Sequence, residues 1–271
     1  MAAAASAQLS GLGTGLRTYT EGYDGDGQDT HQVQDVTGVS TLTGHSQAGF
    51  NASYASGSAV ADSTASFGSL SVDFDTHTTH DATHPIYSVA TSFSNPSAYF
   101  YDRVYVSGAN IGQSVTVHIT GLLSNVSLIY GNNNDQLNTP QGLLGVLDAY
   151  PAAGGDSFLQ VANLRQGAVY TSIPSASCDV TVTVGSFFNI STRLYGDATV
   201  NDIYTGAAGG GEGQTIGTFL TGITSTTPGL SFIGDSGHVY QAVPEPSAFA
   251  TLGLGLLVLR RRKSRSGGAG G

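Results

Sequence analysis

The chain contains no tryptophan, one cysteine, one methionine and no lysine before Lys263, and only 10% of its 271 residues are charged. Each shortage removes a class of protein. A lone cysteine, Cys178, excludes an internal disulfide, and with no histidine close to it in sequence it reads as a small buried apolar residue at the start of a strand. Through Glu245, four arginines stand against nineteen acids, a formal charge of −15, so the chain should repel nucleic acid and anionic lipid. Catalytic signatures are also missing. There is no Gly-x-Ser-x-Gly elbow and no His-Glu-x-x-His, and Gly209-Gly210-Gly211-Glu212-Gly213 lacks the Lys-Ser/Thr of a phosphate loop. The three glutamates, Glu21, Glu212 and Glu245, give little material for a glycosidase carboxylate pair.

What is abundant is glycine, with 38 residues, together with serine and threonine. Low charge and many hydroxyls suit an exported β protein better than a cytosolic enzyme. Period-two alternation carries the fold assignment. Val115, Val117 and Ile119 alternate with Thr116, His118 and Thr120, and Val180, Val182 and Val184 repeat the pattern. Tyr99, Tyr101, Arg103 and Tyr105 fall on one face of a strand whose other face carries Phe100, Val104 and Val106. Further strands are predicted over 66–75, 86–93, 126–130, 143–148, 158–164, 215–223, 230–233 and 238–242, with 187–195 as hairpin partner of 180–184. Residues 9–65 have poor periodicity and read as irregular short strands and loops, 207–213 as a glycine-rich loop, and 201–205 as a helical turn at most. Ten to thirteen short strands without an amphipathic helix predict an all-β antiparallel sandwich over 9–242, with a jelly roll as one version of it.

Two clusters could hold a cation. Asp24, Asp26, Gln28 and Asp29 place side-chain oxygens on a glycine-flexed turn, as Ca²⁺ requires. The run departs from an EF-hand loop, with Gln28 at the third ligand position, Asp29 at the glycine position and Asp35 at position twelve. No cofactor is expected, with Ca²⁺ at this loop as the exception and a solvated acidic turn as the plainer reading. The second cluster, Asp73 to His84, holds three histidines and three aspartates, and is predicted to be a polar loop joining two strands. Tyr99, Phe100, Tyr101 and Tyr105, with Tyr87 and Tyr130, could form a sugar-stacking face, although ordinary sandwich core and surface is the plainer reading of them.

The two ends are distinct. Met1–Gln8 reads as the remnant of a signal peptide, with Ala5-Ser6-Ala7 as a small-residue cleavage site. Near the C-terminus, Pro244-Glu245-Pro246 precedes an uncharged run, Ala248–Leu259, and then Arg260, Arg261, Arg262 and Lys263. As a helix that run would be about 18 Å long. It reaches the bilayer core when the arginines snorkel to the headgroups, and the basic cluster places that end in the cytoplasm. Residues 264–271 read as a flexible tail.

This ordered triple resembles the PEP-CTERM sorting signal over about residues 243–263. The resemblance implies export from a Gram-negative bacterium, recognition by the membrane protease exosortase, membrane contact through residues 247–259, transient inner-membrane anchoring, and release to the cell surface or matrix near extracellular polysaccharide. The expected function is that of an exported, non-enzymatic surface or matrix protein associated with exopolysaccharide and biofilm. A carbohydrate-binding or adhesive module is the alternative, and a secreted hydrolase a third reading.

Overall fold

The computed structural model describes residues 13–24, 29–51, 55–80, 89–94, 96–132, 142–151, 158–165, 174–203 and 209–242. Fifteen strands and no helix are found among them. In chain order these are β1 (Gly13–Asp24), β2 (Asp29–Gly38), β3 (Leu42–Asn51), β4 (Ala55–Ser66), β5 (Ser69–His80), β6 (Val89–Ser94), β7 (Ser97–Ser107) and β8 (Ser114–Asn132). There follow β9 (Gly142–Pro151), β10 (Phe158–Arg165), β11 (Ser175–Thr183), β12 (Phe187–Ile203), β13 (Gly209–Ser225), β14 (Ser231–Gly234) and β15 (Val239–Tyr240). They form two antiparallel sheets, a sandwich as the alternation predicts. The back sheet runs β11-β8-β13-β5-β4-β3.

The front sheet has nine strands, but they occupy six lanes. β6 and β7 lie end to end between β12 and β1, and neither neighbour changes register across residues 95 and 96. They are one strand interrupted at Pro96, which has no amide to donate to the ladder. The Pro96 carbonyl still accepts from the Gly196 N–H at 2.9 Å, so the sheet stays joined there. β14 continues the lane of β1 along β7, and β15 continues the lane of β2.

Large side chains meet glycine notches across the sandwich. Phe219 on β13 packs over Gly145 of the front sheet and Gly121 of its own, and Phe74 on β5 packs against Gly196 of β12. A Cβ at any of these glycines would collide with the ring. Phe74, Phe100, Phe188 and Phe219 are all fully buried, each stabilising by roughly 1.5–3 kcal/mol on the transfer scale. Cys178 lies on β11 inside this core, as expected.

Elsewhere the interior is thin, and here the sequence reading needs correction. The described residues of 13–66 are not irregular. They form four regular strands of ten to twelve residues. Burial does alternate along β3 and β4, but apart from Phe50 the buried positions are all small: Gly44, Ser46, Ala48, Ala55, Ala59, Ala61, Ser63 and Ala65. A hydrophobic pattern cannot show an alternation written in alanine, serine and glycine. β3 is the edge of the back sheet, and β2 covers it. The Gln34 and Gln32 side-chain carbonyls accept from the His45 and Gln47 backbone N–H groups, both at 2.5 Å. These two glutamines do the work of a missing strand.

Four smaller expectations also change. Residues 73–80 continue β5 and are not a loop, and 209–213 begin β13. Residues 201–203 end β12 as strand. β12 is not the hairpin partner of β11, since β11 pairs with β8 in the back sheet while β12 pairs with β7 and β9 in the front. The expected C-terminal hydrophobic helix and the segment 1–8 lie outside the described residues.

Candidate functional site: an aromatic sheet face and the root of the tail

The outer face of the front sheet follows from register. Along β7, residues 98, 100, 102, 104 and 106 are buried, which turns Tyr99, Tyr101, Arg103 and Tyr105 outward. Their partners on β12 are Arg193 for Tyr99, Ser191 for Tyr101, Asn189 for Arg103 and Phe187 for Tyr105. β9 adds Tyr150 opposite Asn189 and Asp148 opposite Ser191. Directly opposed residues share a face, so these side chains form one surface.

The rings on this surface lie across the sheet because small residues sit beside them. Tyr99 covers Gly15 on β1, where any Cβ would strike the ring. The Tyr150 hydroxyl donates to the Tyr101 hydroxyl at 3.2 Å, closing an arch over β12. Burial, then the Tyr101 hydrogen bond and the nearby Asp148 charge, push the Tyr150 phenol above its ordinary value. The Arg103 guanidinium stands 4.6 Å from the Phe187 ring centroid, and Tyr105 is 5.0 Å from the same ring. Arg103 Nε also donates to Asp235 at 2.7 Å, yet its side chain stays 53% exposed. The result is a surface that sets aromatic rings beside guanidinium donors and carboxylates.

Directly beneath Arg103, on the inner side of β7, lies Asp102. Its carboxylate is fully buried. Oδ1 accepts from the Arg103 N–H at 2.9 Å and the Ser236 N–H at 3.3 Å; Oδ2 accepts from the Ser236 hydroxyl at 2.6 Å and the Tyr240 hydroxyl at 2.9 Å. Four donors satisfy one charge. Gly234 has room for no side chain, because a Cβ there would meet Oδ2. Burial, then the Asp102 charge, drives the Tyr240 phenol far above its usual range and keeps it a donor. His238, edge-on to Tyr240 at 4.6 Å, has its pKa lowered by burial, with Asp102 opposing that shift. The hairpin β14–β15 is thus latched to the body of the front sheet. One residue on, the Gln241 carbonyl accepts from the Ile223 N–H of the back sheet at 3.0 Å. The last described residues before the tail are held by both sheets.

The residues singled out from sequence fare differently. Asp24 ends β1 and Asp29 begins β2, so 24–29 is the connection of that hairpin; Asp26 and Gln28 lie outside the described residues. Among the described residues no group of three or more His, Cys, Asp or Glu could hold a metal. In the second cluster, Asp73, Asp75 and His77 are exposed on the back sheet, and residues 81–84 lie outside the described set. Asp73 stands directly opposite Asp62; burial, then the charges of Asp62 and Asp75, raise its pKa. Asp62 in turn pairs with His45 at 2.9 Å. The Cys178 thiol is pushed up to about 11, chiefly by burial, then by Asp179 and Asp148, which is far from a nucleophile's range.

Of the expected sugar-stacking set, Tyr99, Tyr101 and Tyr105 share the outer face, but Phe100 does not. It is fully buried, because adjacent strand residues point to opposite sides. Tyr87 is outside the described residues, and so is the placement of the Tyr130 side chain. Tyr150, Phe187 and Arg193 were missed, although strands were expected over 143–148 and 187–195. What sequence could not show is that β9, β12 and β7 are neighbours. Pro244, Glu245, Pro246 and Arg260, Arg261, Arg262 and Lys263 lie outside the described residues.

The architecture is therefore that of an all-β two-sheet sandwich whose latched end leads into the C-terminal segment. Residues 242–264 match the PEP-CTERM protein-sorting motif. The motif implies an exported protein sorted by exosortase, with membrane-anchored transit. No curated protein matches the chain. A solved structure described as "Structural basis for the promiscuous specificity of the carbohydrate-binding modules from the beta-sandwich super family" is similar over 73% of this chain and 82% of its own, at 10% identity and a TM-score of 0.15. So distant a likeness carries nothing about the ligand.

Proposed function

We propose that the chain is an exported, non-enzymatic surface or matrix protein, delivered through its C-terminal signal into an exopolysaccharide or biofilm layer. One observation carries the reading. The sorting motif begins at residue 242, immediately after Tyr240 and Gln241 are fixed to the two sheets, so a folded domain ends where the signal starts. The sandwich is the cargo, and the tail determines its destination. Replacing Arg260–Lys263 with serine and fractionating the native host tests this. Retention in the inner membrane or periplasm is expected, while unchanged surface delivery and processing would refute it. The non-enzymatic part rests on the lack of a recognisable catalytic motif and on the inert thiol. Turnover of a polysaccharide or ester substrate, lost on changing one aspartate, would replace it with a hydrolase. The second reading, a carbohydrate-binding module, is favoured by the half-buried, outward-facing tyrosines of β7.

A further inference from the structure

We propose that the outer face of the front sheet binds a neutral polysaccharide chain, with Tyr99, Tyr101 and Tyr105 stacking on its sugar rings and Arg103 and Arg193 donating to its hydroxyls. The proposal deepens the carbohydrate-binding reading and is independent of how the tail is handled.

Shape comes first. Tyr99 lies over Gly15, and the Tyr101 hydroxyl meets that of Tyr150 over β12, so both rings are laid along the sheet surface rather than standing clear of it. An aromatic face is electron-rich and attracts the weakly positive C–H groups of a pyranose. Tyr99 and Tyr105 are separated by roughly 20 Å along the strand at about 3.4 Å per residue. That length suits a polymer rather than a single sugar.

Polar chemistry sits beside the rings. Arg103 uses its Nε on Asp235 and Arg193 reaches the Tyr195 hydroxyl at 3.4 Å. A guanidinium has five N–H donors, so each keeps several for a ligand.

Charge decides between glycan classes. Two arginines and two aspartates, Arg103, Arg193, Asp148 and Asp235, leave this patch without net charge. The chain as a whole carries a formal −10. An acidic polysaccharide would meet repulsion from the body and no compensating attraction at the face. A neutral one meets neither.

Affinity electrophoresis of the full chain in mild detergent tests the assignment, using gels that contain hydroxyethylcellulose, galactomannan or alginate. Retardation by at least one neutral polymer and not by alginate is expected. Tyr101→Ala and Arg103→Ala should each weaken it about tenfold. His118→Ala, on the opposite sheet, should leave it unchanged. Arg103 is exposed, so that variant keeps the test valid if loss of Tyr101 disturbs folding, which a melting curve reports. No retardation in any gel, stronger retardation in alginate, or retardation indifferent to both substitutions would each overturn the proposal. So would concentration-dependent self-association that the same substitutions abolish, since the face would then join two copies of the chain. None of these results bears on surface delivery, which the Arg260–Lys263 replacement tests separately.

Discussion

Asp102→Ala is the perturbation whose size can be worked most directly from the structure. The carboxylate receives four hydrogen bonds and has no exposure to water. Bonds to a charged acceptor are each worth about 1.5–3 kcal/mol. Two corrections lower the total: the part-buried Ser236 can recruit water, and deleting the buried charge relieves its desolvation penalty. The Tyr240 hydroxyl, on a residue only 3% exposed, has no such recourse. A net loss of about 3 kcal/mol follows, or about 6–12 °C in melting temperature for a domain of this size. Asp102→Asn should behave differently. Its oxygen can still take both N–H groups, and the two hydroxyls can rotate to accept from its amide, so about 1 kcal/mol is expected. Thermal melts at pH 7, followed by far-UV circular dichroism, measure both. An alanine variant melting within about 2 °C of the parent, or an asparagine variant as damaged as alanine, would show that the carboxylate does not hold the hairpin.

Three further outcomes follow from other parts of the sandwich. Asp73→Asn should raise the melting temperature at pH 7 by relieving repulsion from Asp62 and Asp75, worth about 0.2–1 kcal/mol. Because folding raises this carboxyl's pKa above its ordinary 3.8, the folded state binds the extra proton, and the gap between variant and parent should close as pH falls through the raised value. His238 has the opposite sign. Its pKa is lowered from about 6.5, so the unfolded chain takes up the proton first, and the parent should lose stability on acidification below 6.5 more steeply than His238→Asn; parallel curves would count against the buried imidazole. Gln32→Ala with Gln34→Ala should bare the His45 and Gln47 N–H groups on the edge of β3 and speed aggregation in light scattering, and an unchanged rate would mean that the edge needs no cover.

How far the sequence was readable depended on which residues filled the interior. Where valine, isoleucine and phenylalanine alternate with polar residues, as in 115–119 and 180–184, the strands lie where predicted. Where alanine, serine and glycine face inward, as in β3 and β4, the periodicity was present but had no hydrophobic contrast. β2 misled for another reason: Gln32 and Gln34 serve the backbone of β3, and Val33 between them is left 42% exposed. The aromatic face was half legible. The tyrosines of β7 stand at spacing two, but Tyr150 and Phe187 join them only through pairings that cross fifty to eighty residues of chain. Asp102 was invisible, since its four donors come from its own neighbour and from a hairpin more than 130 residues away. The tail was the most legible part, because its signal is linear.

The clamp at Tyr240 and Gln241 has a mechanical consequence. A protein held by its C-terminal segment and dragged by flow feels tension at the root of that segment. On an ordinary edge hairpin, such a pull opens ladder bonds in succession, each failing alone. Here β15 has only two residues to unzip. Behind it, Tyr240 and Ser236 grip one carboxylate in the interior, while Gln241 is tied to the opposite sheet. Those attachments must give way together, so the force passes into the body of the sandwich as through a shackle. The domain is joined to the segment that follows Gln241 at a point built to resist peeling.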